Sequence, residues 1–265
     1  MNHSKGYGMN CHVIFRSCAR VYAVHDQPGR GRVGDSVTKA EIIQRCLWSL
    51  VKSMNNVGAD LALTVVDDHS DEACLENMQA VLSRNRHPST IVPLEDTGNG
   101  RSIKRCHEIG LVTDKALVYF VEDDYLHHPD AIVEMCLDHA TFTRRLGREV
   151  ALFPCDYPDN YVRPEFINAP SYLALGLRRH WRTVTNSTCT FFVTKQFISQ
   201  HWEALDGLAH YGDPGISEDG TINRVWQRDV ILMAPIPSLA VHLHDGTKSP
   251  HVDWRALWDA SDWRE

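Results

Sequence analysis

Two patterns of apolar and polar positions alternate along this chain. Short apolar runs rich in β-branched and aromatic residues read as strands. They are Cys11 to Phe15 (CHVIF), Leu61 to Asp68 (LALTVVDD), Ser89 to Glu95 (STIVPLE), Ala116 to Val121 (ALVYFV), Val150 to Phe153 and Thr188 to Lys195 (TCTFFVTK). A last strand region lies in VILMAPIPSLAVHLH, residues 230–244. Between the runs, apolar residues recur at helical spacing, as in residues 37–54, 73–85, 97–110, 131–146, 196–205 and 221–228. Ser36 is the expected cap of the first helix, and Ser70 with Asp71 that of the second. Alternating strands and helices predict an α/β fold, an open and mostly parallel sheet with helices on both faces. Residues 157–186 break the pattern and read as a proline-broken loop holding Tyr157, Tyr161, Tyr172 and Trp181.

The polar positions that interrupt this pattern are acids at strand ends. The run ending at Val121 passes directly into Glu122, Asp123 and Asp124, with a proline at Pro129. Three carboxylates at the end of a buried strand repel one another, and part-burial adds to the cost of ionising them. A divalent cation is the usual remedy, with hard oxygens as its ligands. Without metal, removing one acid is expected to relieve repulsion and raise the melting temperature. The second strand also ends in acids, Asp67 and Asp68, and Glu218 and Asp219 open the helix TINRVWQR. The last strand carries His242 and His244, read here onto opposite faces.

The strand, acidic triplet and following proline resemble the DXD-type metal site of nucleotide-sugar glycosyltransferases with the GT-A fold. The EDD form is similar to that of N-acetylglucosaminyltransferase I, and the layout to family 2 enzymes. The resemblance implies a GT-A, Rossmann-like sheet and a role for each strand end. Asp124 would bind Mn²⁺ or Mg²⁺, with Glu122 and Asp123 on the nucleotide side. VVDDHSDE is similar to the DDxS segment of family 2, implying that Asp68, or Asp67, recognises the nucleoside. The Asn99-Gly100 turn implies a diphosphate contact from Arg101, and Arg16 at the end of the first strand joins the donor-binding set. The acids at 218 and 219 resemble the acceptor-side motif, with Asp219 as general base and Glu218 as fallback. His-Asp-Gly-Thr-Lys loosely resembles a His-Gly-Lys element, implying His244 on the metal, His242 as its alternative, and Lys248 on the diphosphate.

Composition limits the alternatives. A chain of 265 residues fits one such domain, taken as residues 11–265. Its donor half would span about 11–130 and its acceptor half about 150–250, with residues 1–10 a flexible lead. A net charge of −7 argues against a nucleic-acid partner. No apolar run approaches the ~18 residues of a membrane span, and the start lacks a signal-peptide core. Eight scattered cysteines without a CxxC pair read as reduced core residues of a cytoplasmic protein, not a zinc site. The stretch QPGRGRVGD (27–35) reads as a surface loop. The expected activity is transfer of a sugar from a UDP- or GDP-sugar to a hydroxyl of a glycan or other acceptor. A nucleotidyltransferase acting on sugar phosphates and a non-catalytic nucleotide-sugar-binding module are the alternatives. The nucleotidyltransferase is expected to carry a lysine in a glycine-rich loop directly after the first strand.

Overall fold

Strand β1 (Asn10–Ser17) forms the centre of the parallel half of the sheet, with β2 (Asp60–Asp67) on one side and β4 (Leu117–Glu122) on the other. The computed structural model describes residues 9–20, 33, 37–210, 213–244 and 246–264. Ser36 and the loop 27–35, apart from Val33, lie outside the described residues. Helix α1 (Lys39–Asn55) is instead capped by Thr38, whose side chain accepts from the Glu41 N–H.

The order continues with α2 (Glu72–Leu82), capped by Asp71 as expected, β3 (Ser89–Pro93) and α3 (Asn99–Val112). Strand β4 (Leu117–Glu122) has its middle four residues buried on both faces, as its unbroken apolar run requires. A two-residue turn then leads to a short strand that the sequence reading missed, β5 (Tyr125–His127). Helix α4 (Ala131–Leu146) ends at Gly147 in the left-handed conformation. Strand β6 (Val150–Leu152) precedes two single-turn helices, α5 (Asp159–Val162) and α6 (Pro164–Ile167).

The expected loop 157–186 also holds an antiparallel hairpin, β7 (Leu173–Leu175) with β8 (His180–Val184). Trp181 on β8 is fully buried against Phe142, and its indole N–H donates to Asp138 at 2.9 Å. It is a core residue. Strand β9 (Phe191–Thr194), helices α7 (Lys195–Gln200) and α8 (Trp202–Leu208), and α9 (Ile222–Arg228) follow. Strands β10 (Ile231–Ile236) and β11 (Ala240–His242) and helix α10 (Trp254–Asp259) complete the chain.

Among the described residues the main sheet has nine strands in the order β3-β2-β1-β4-β9-β6-β10-β8-β7. All but β9 and β8 run in one direction, so the sheet is mostly parallel, as expected. Helices α1, α2 and α4 pack together on one face, and α3, α7, α8 and α9 on the other. The chain steps outward from β1 to β3 and then returns to β4 on the other side of β1. Such a reversal opens a crevice at the carboxyl ends of the two strands.

Beside that crevice, β5 and β11 pair as a separate antiparallel ribbon that sets His242 opposite Tyr125. Leu126, Val241 and Leu243 point down from it into a small apolar cluster with Ile42, Cys46 and Trp258. The alternating positions, Tyr125, His242 and His244, are therefore turned the other way. All eight cysteines are free thiols, and every one but Cys18 is buried. Among the described residues no helix is long and apolar enough to cross a membrane.

Candidate functional site

The site begins where β1 and β4 end side by side. Their register pairs Arg16 with Glu122, and the Arg16 guanidinium meets Glu122 Oε1 at 2.5 Å. Arg16 Nη1 also donates to Asn99 Oδ1 at 2.6 Å, at the start of α3. Burial alone would lower the Arg16 pKa, but the charge of Glu122 raises it, so the guanidinium stays charged. Two glycines shape this turn. Gly98 has a φ of +144° and donates its N–H to Asp68 at 3.1 Å. Gly100 sits so close to α8 that a Cβ would lie 1.8 Å from the Ala209 carbonyl oxygen. The TGNG stretch is thus a fitted joint, and Asn99 is the residue of it that reaches the site, through Arg16. Arg101, the expected diphosphate contact, is largely exposed and ion-paired with Asp96. The structure does not bring Arg101 into the cluster.

Asp123 and Asp124 form the turn between β4 and β5. Asp123 is buried and both its oxygens are engaged, by Lys39 Nζ at 2.5 Å and by the Cys18 N–H at 2.9 Å. Burial raises its pKa, Asp124 adds to the rise, and Lys39 opposes it. Lys39 was not singled out from sequence. Its signal was weak, a single lysine in the first turn of an amphipathic helix.

Asp124 behaves differently. Its Oδ2 faces His242 Nε2 at 3.2 Å, while Oδ1 is buried without a hydrogen-bond partner. Burial by itself would raise this carboxyl, but the charge and hydrogen bond of His242, with Lys39 and Arg16, take it well below the ordinary range. His242 is raised in return: burial would lower it, and Asp124 outweighs that. The imidazole stacks on Tyr125 with ring centroids 4.6 Å apart, and its Nδ1 lies 2.9 Å from Tyr157 Oη. The His242 and His244 rings are only 5.6 Å apart, so the expectation of opposite faces is wrong. Residues two apart on an extended segment share a side. Of the two, His242 is the one in contact with Asp124; the favoured metal histidine, His244, is its neighbour on that side. The Lys248 ammonium lies 5.2 Å from the Trp254 ring centroid.

The second strand end is buried and self-satisfied. Asp67 accepts from the Ser70 N–H at 2.9 Å and the Ser70 hydroxyl at 2.6 Å, closing its own turn. Asp68 accepts from Gly98 and lies 3.1 Å from His69 Nδ1. His69 is held at a φ of +58°, a left-handed conformation uncommon for a non-glycine residue. Asp67→Ala is therefore expected to lower stability by about 1–3 kcal/mol by leaving buried donors unpaired, measured by urea unfolding. On the nucleoside role that the sequence resemblance implies for Asp68, Asp68→Asn is expected to weaken nucleotide binding more than Asp67→Asn does, measured by titration calorimetry.

The acids opening the acceptor side separate as well. Glu218 and Asp219 lie in a single 3₁₀ turn, Glu218–Gly220. Burial raises the Glu218 pKa, Glu122 and Asp219 raise it further, and Arg16 opposes. Its carboxyl therefore shares the electrostatic environment of the Arg16–Glu122 pair. Asp219 is exposed and accepts from Asn223 Nδ2 at 2.8 Å. Asn223 in turn accepts from the Ser187 N–H at 3.0 Å.

Among the described residues, no three His, Cys, Asp or Glu side chains form a ready-made metal cage. The donor set at Asp124 still fits a divalent cation whose remaining positions are filled by phosphate and water oxygens. It offers a buried carboxylate oxygen without a partner and an adjacent imidazole.

Comparisons with known proteins leave the family open. No family model matches the chain, and no curated protein does. Among solved structures, S. aureus TarS 1-349 aligns at 14% identity over 76% of this chain and 55% of that one, with a TM-score of 0.46. The chain thus spans about half of that fragment. UDP-glucose pyrophosphorylase complexed with UDP-glucose aligns at 11% identity over 96% of this chain and 97% of that one, with a TM-score of 0.46. Mannosyltransferase PcManGT from Pyrobaculum calidifontis, in complex with GDP-Man and Mn²⁺, aligns at 14% identity over 60% and 37%, with a TM-score of 0.38. At these scores the likenesses carry no argument about activity.

Proposed function

We propose that this chain is a metal-dependent GT-A glycosyltransferase that moves a sugar from a UDP- or GDP-sugar to an acceptor hydroxyl, with inversion. One observation carries the reading. At the crevice where the strand order reverses, Asp124 presents a buried oxygen without a partner beside His242. A divalent cation there, Mn²⁺ or Mg²⁺, would act as Lewis acid for the leaving diphosphate. Asp124 would hold it with His242; His244, on the same side, is the second candidate. Asp123 and Glu122 would meet the nucleotide side, Asp68 the nucleoside, and Lys248 the diphosphate.

Arg16 ties the ends of β1, β4 and α3 together, so it fixes the donor side. Glu218 is taken as the base ahead of Asp219, because burial and the charge of Glu122 raise its carboxyl pKa, whereas Asp219 is exposed and bound to Asn223. It would take the acceptor proton as the acceptor oxygen bonds to the anomeric carbon and the bond to the diphosphate breaks. A raised carboxyl pKa suits that task, because proton transfer is most effective when the base's pKa lies near the working pH. Eight unpaired thiols suit a reducing compartment, and the cytoplasm is the proposed location.

One observation favours a nucleotidyltransferase as the second reading. Lys39, at the start of the helix after the glycine-rich stretch, pairs with Asp123 in the acidic triplet. That supplies a lysine at the site, although not directly after β1. Product analysis separates the readings. With Mn²⁺ and a panel of nucleotide sugars, the glycosyltransferase slowly releases nucleoside diphosphate and free sugar. With added pyrophosphate, a nucleotidyltransferase releases nucleoside triphosphate and sugar 1-phosphate, and a binding module releases neither.

A further inference from the structure

The imidazole of His242 ends a buried chain of hydroxyl groups. Its Nδ1 lies 2.9 Å from Tyr157 Oη, which lies 2.6 Å from Tyr125 Oη, which lies 2.7 Å from Thr188 Oγ1. These residues come from the β6–α5 connection, the start of β5 and the approach to β9. Tyr125 is fully buried and Tyr157 is 6% exposed, so neither hydroxyl has water as a ready substitute partner. Tyr157 is further fixed by an edge-on contact with Phe153, ring centroids 5.0 Å apart. Tyrosine hydroxyls both donate and accept, so a chain of them can run in either direction without moving a heavy atom.

That property matters because Asp124 and a metal make opposite demands on His242. Facing the Asp124 carboxylate, Nε2 must carry a proton; facing a cation, it must present a lone pair. A neutral imidazole meets the second demand only if Nδ1 holds the proton and something accepts it. Tyr157 Oη is the group within reach of Nδ1.

We infer that Tyr157 is a positioning residue for the metal site: it accepts the His242 Nδ1–H and so turns Nε2 towards the cation beside Asp124. Tyr125 and Thr188 extend the arrangement, each accepting from the hydroxyl before it. The inference rests on the proposed metal site and adds to it which ring nitrogen serves, and what holds it there.

A double-mutant cycle tests this on the full chain, with Mn²⁺ binding followed by electron paramagnetic resonance in the presence of UDP. Tyr157→Phe keeps the ring and its packing and removes only the hydroxyl. Loss of such an outer partner is expected to weaken Mn²⁺ binding about 10–100-fold. In a His242→Gln background, adding Tyr157→Phe is expected to change Mn²⁺ affinity no further, because the group it acts through is gone. Tyr125→Phe, one bond more remote, is expected to have a smaller effect than Tyr157→Phe. Wild-type affinity in Tyr157→Phe overturns the inference and leaves the metal site standing, as does an effect of equal size with and without His242. Failure of the wild-type chain to bind Mn²⁺ with UDP overturns the metal site itself, and the inference with it.

Discussion

Asp124→Asn is expected to abolish sugar transfer and metal-dependent donor binding together, with the fold retained. The substitution keeps the shape of the side chain and removes the charge that a cation needs. Losing several kcal/mol of Lewis-acid stabilisation corresponds to roughly a 10³-fold or greater drop in rate. Its effect on stability reverses the sequence-based expectation. Crowding of like charges predicts that removing one acid raises the melting temperature. In the structure the crowding falls on Asp123, whose pKa burial raises with Asp124 adding to it. Asp124 is instead held below the ordinary range, against the push of burial, by His242.

A carboxylate with a lowered folded pKa contributes stability above its unfolded pKa, and that contribution is lost as pH falls through the folded value. A histidine with a raised pKa contributes below about 6.5 and loses it as pH rises through its folded value. The pair therefore stabilises the metal-free protein most between the two. Asp124→Asn is expected to lower the metal-free melting temperature near pH 6, with a smaller difference at pH 9. Calorimetric scans at the two pH values check this, and a higher melting temperature for the variant at pH 6 would refute it.

Glu218→Gln is expected to slow transfer about 10²–10⁴-fold, the usual range for a lost general base. Donor affinity should remain near that of the wild type, because the proposed donor site lies on the metal side. The wild-type kcat should fall on the acid side as Glu218 takes up a proton, at a pH above the ordinary glutamate value of 4.5, since burial and Glu122 raise its pKa. Asp219→Asn should be milder, because that carboxyl is exposed and bound to Asn223. Steady-state kinetics of the two variants decide between them. A dead Asp219→Asn beside an active Glu218→Gln would move the role one residue along the turn.

The strands and helices were legible in the sequence where local pattern determined them. β4 is buried on both faces, so its apolar run is unbroken and its acidic end stands out. The pairing of Arg16 with Glu122 was not legible, because it depends on the register of β1 against β4. Nor was the β5–β11 ribbon, since each strand is three residues long and most of its apolar signal comes from Leu126, Val241 and Leu243. Placing His242 and His244 on opposite faces misreads the strand period: residues two apart share a face, and Leu243 between them points into the apolar cluster beneath. The hairpin of β7 and β8 was hidden for a different reason. β7 is an edge strand with Leu173 and Leu175 exposed, so it lacks the alternation that marks a half-buried strand. Arg101 shows the limit of reading charge from a motif: the residue of that turn that reaches the Arg16 cluster is Asn99, through its bond to Arg16, while Arg101 pairs with Asp96.

The central claim is that donor and protein meet through a divalent cation at Asp124. Isothermal titration of UDP-sugars and GDP-sugars into the full chain, with Mn²⁺ and again with EDTA, tests it most directly. The expected result is binding of at least one donor with Mn²⁺, none with EDTA, and none in Asp124→Asn under either condition. Equal affinity in Mn²⁺ and EDTA, or wild-type binding by Asp124→Asn, would contradict it.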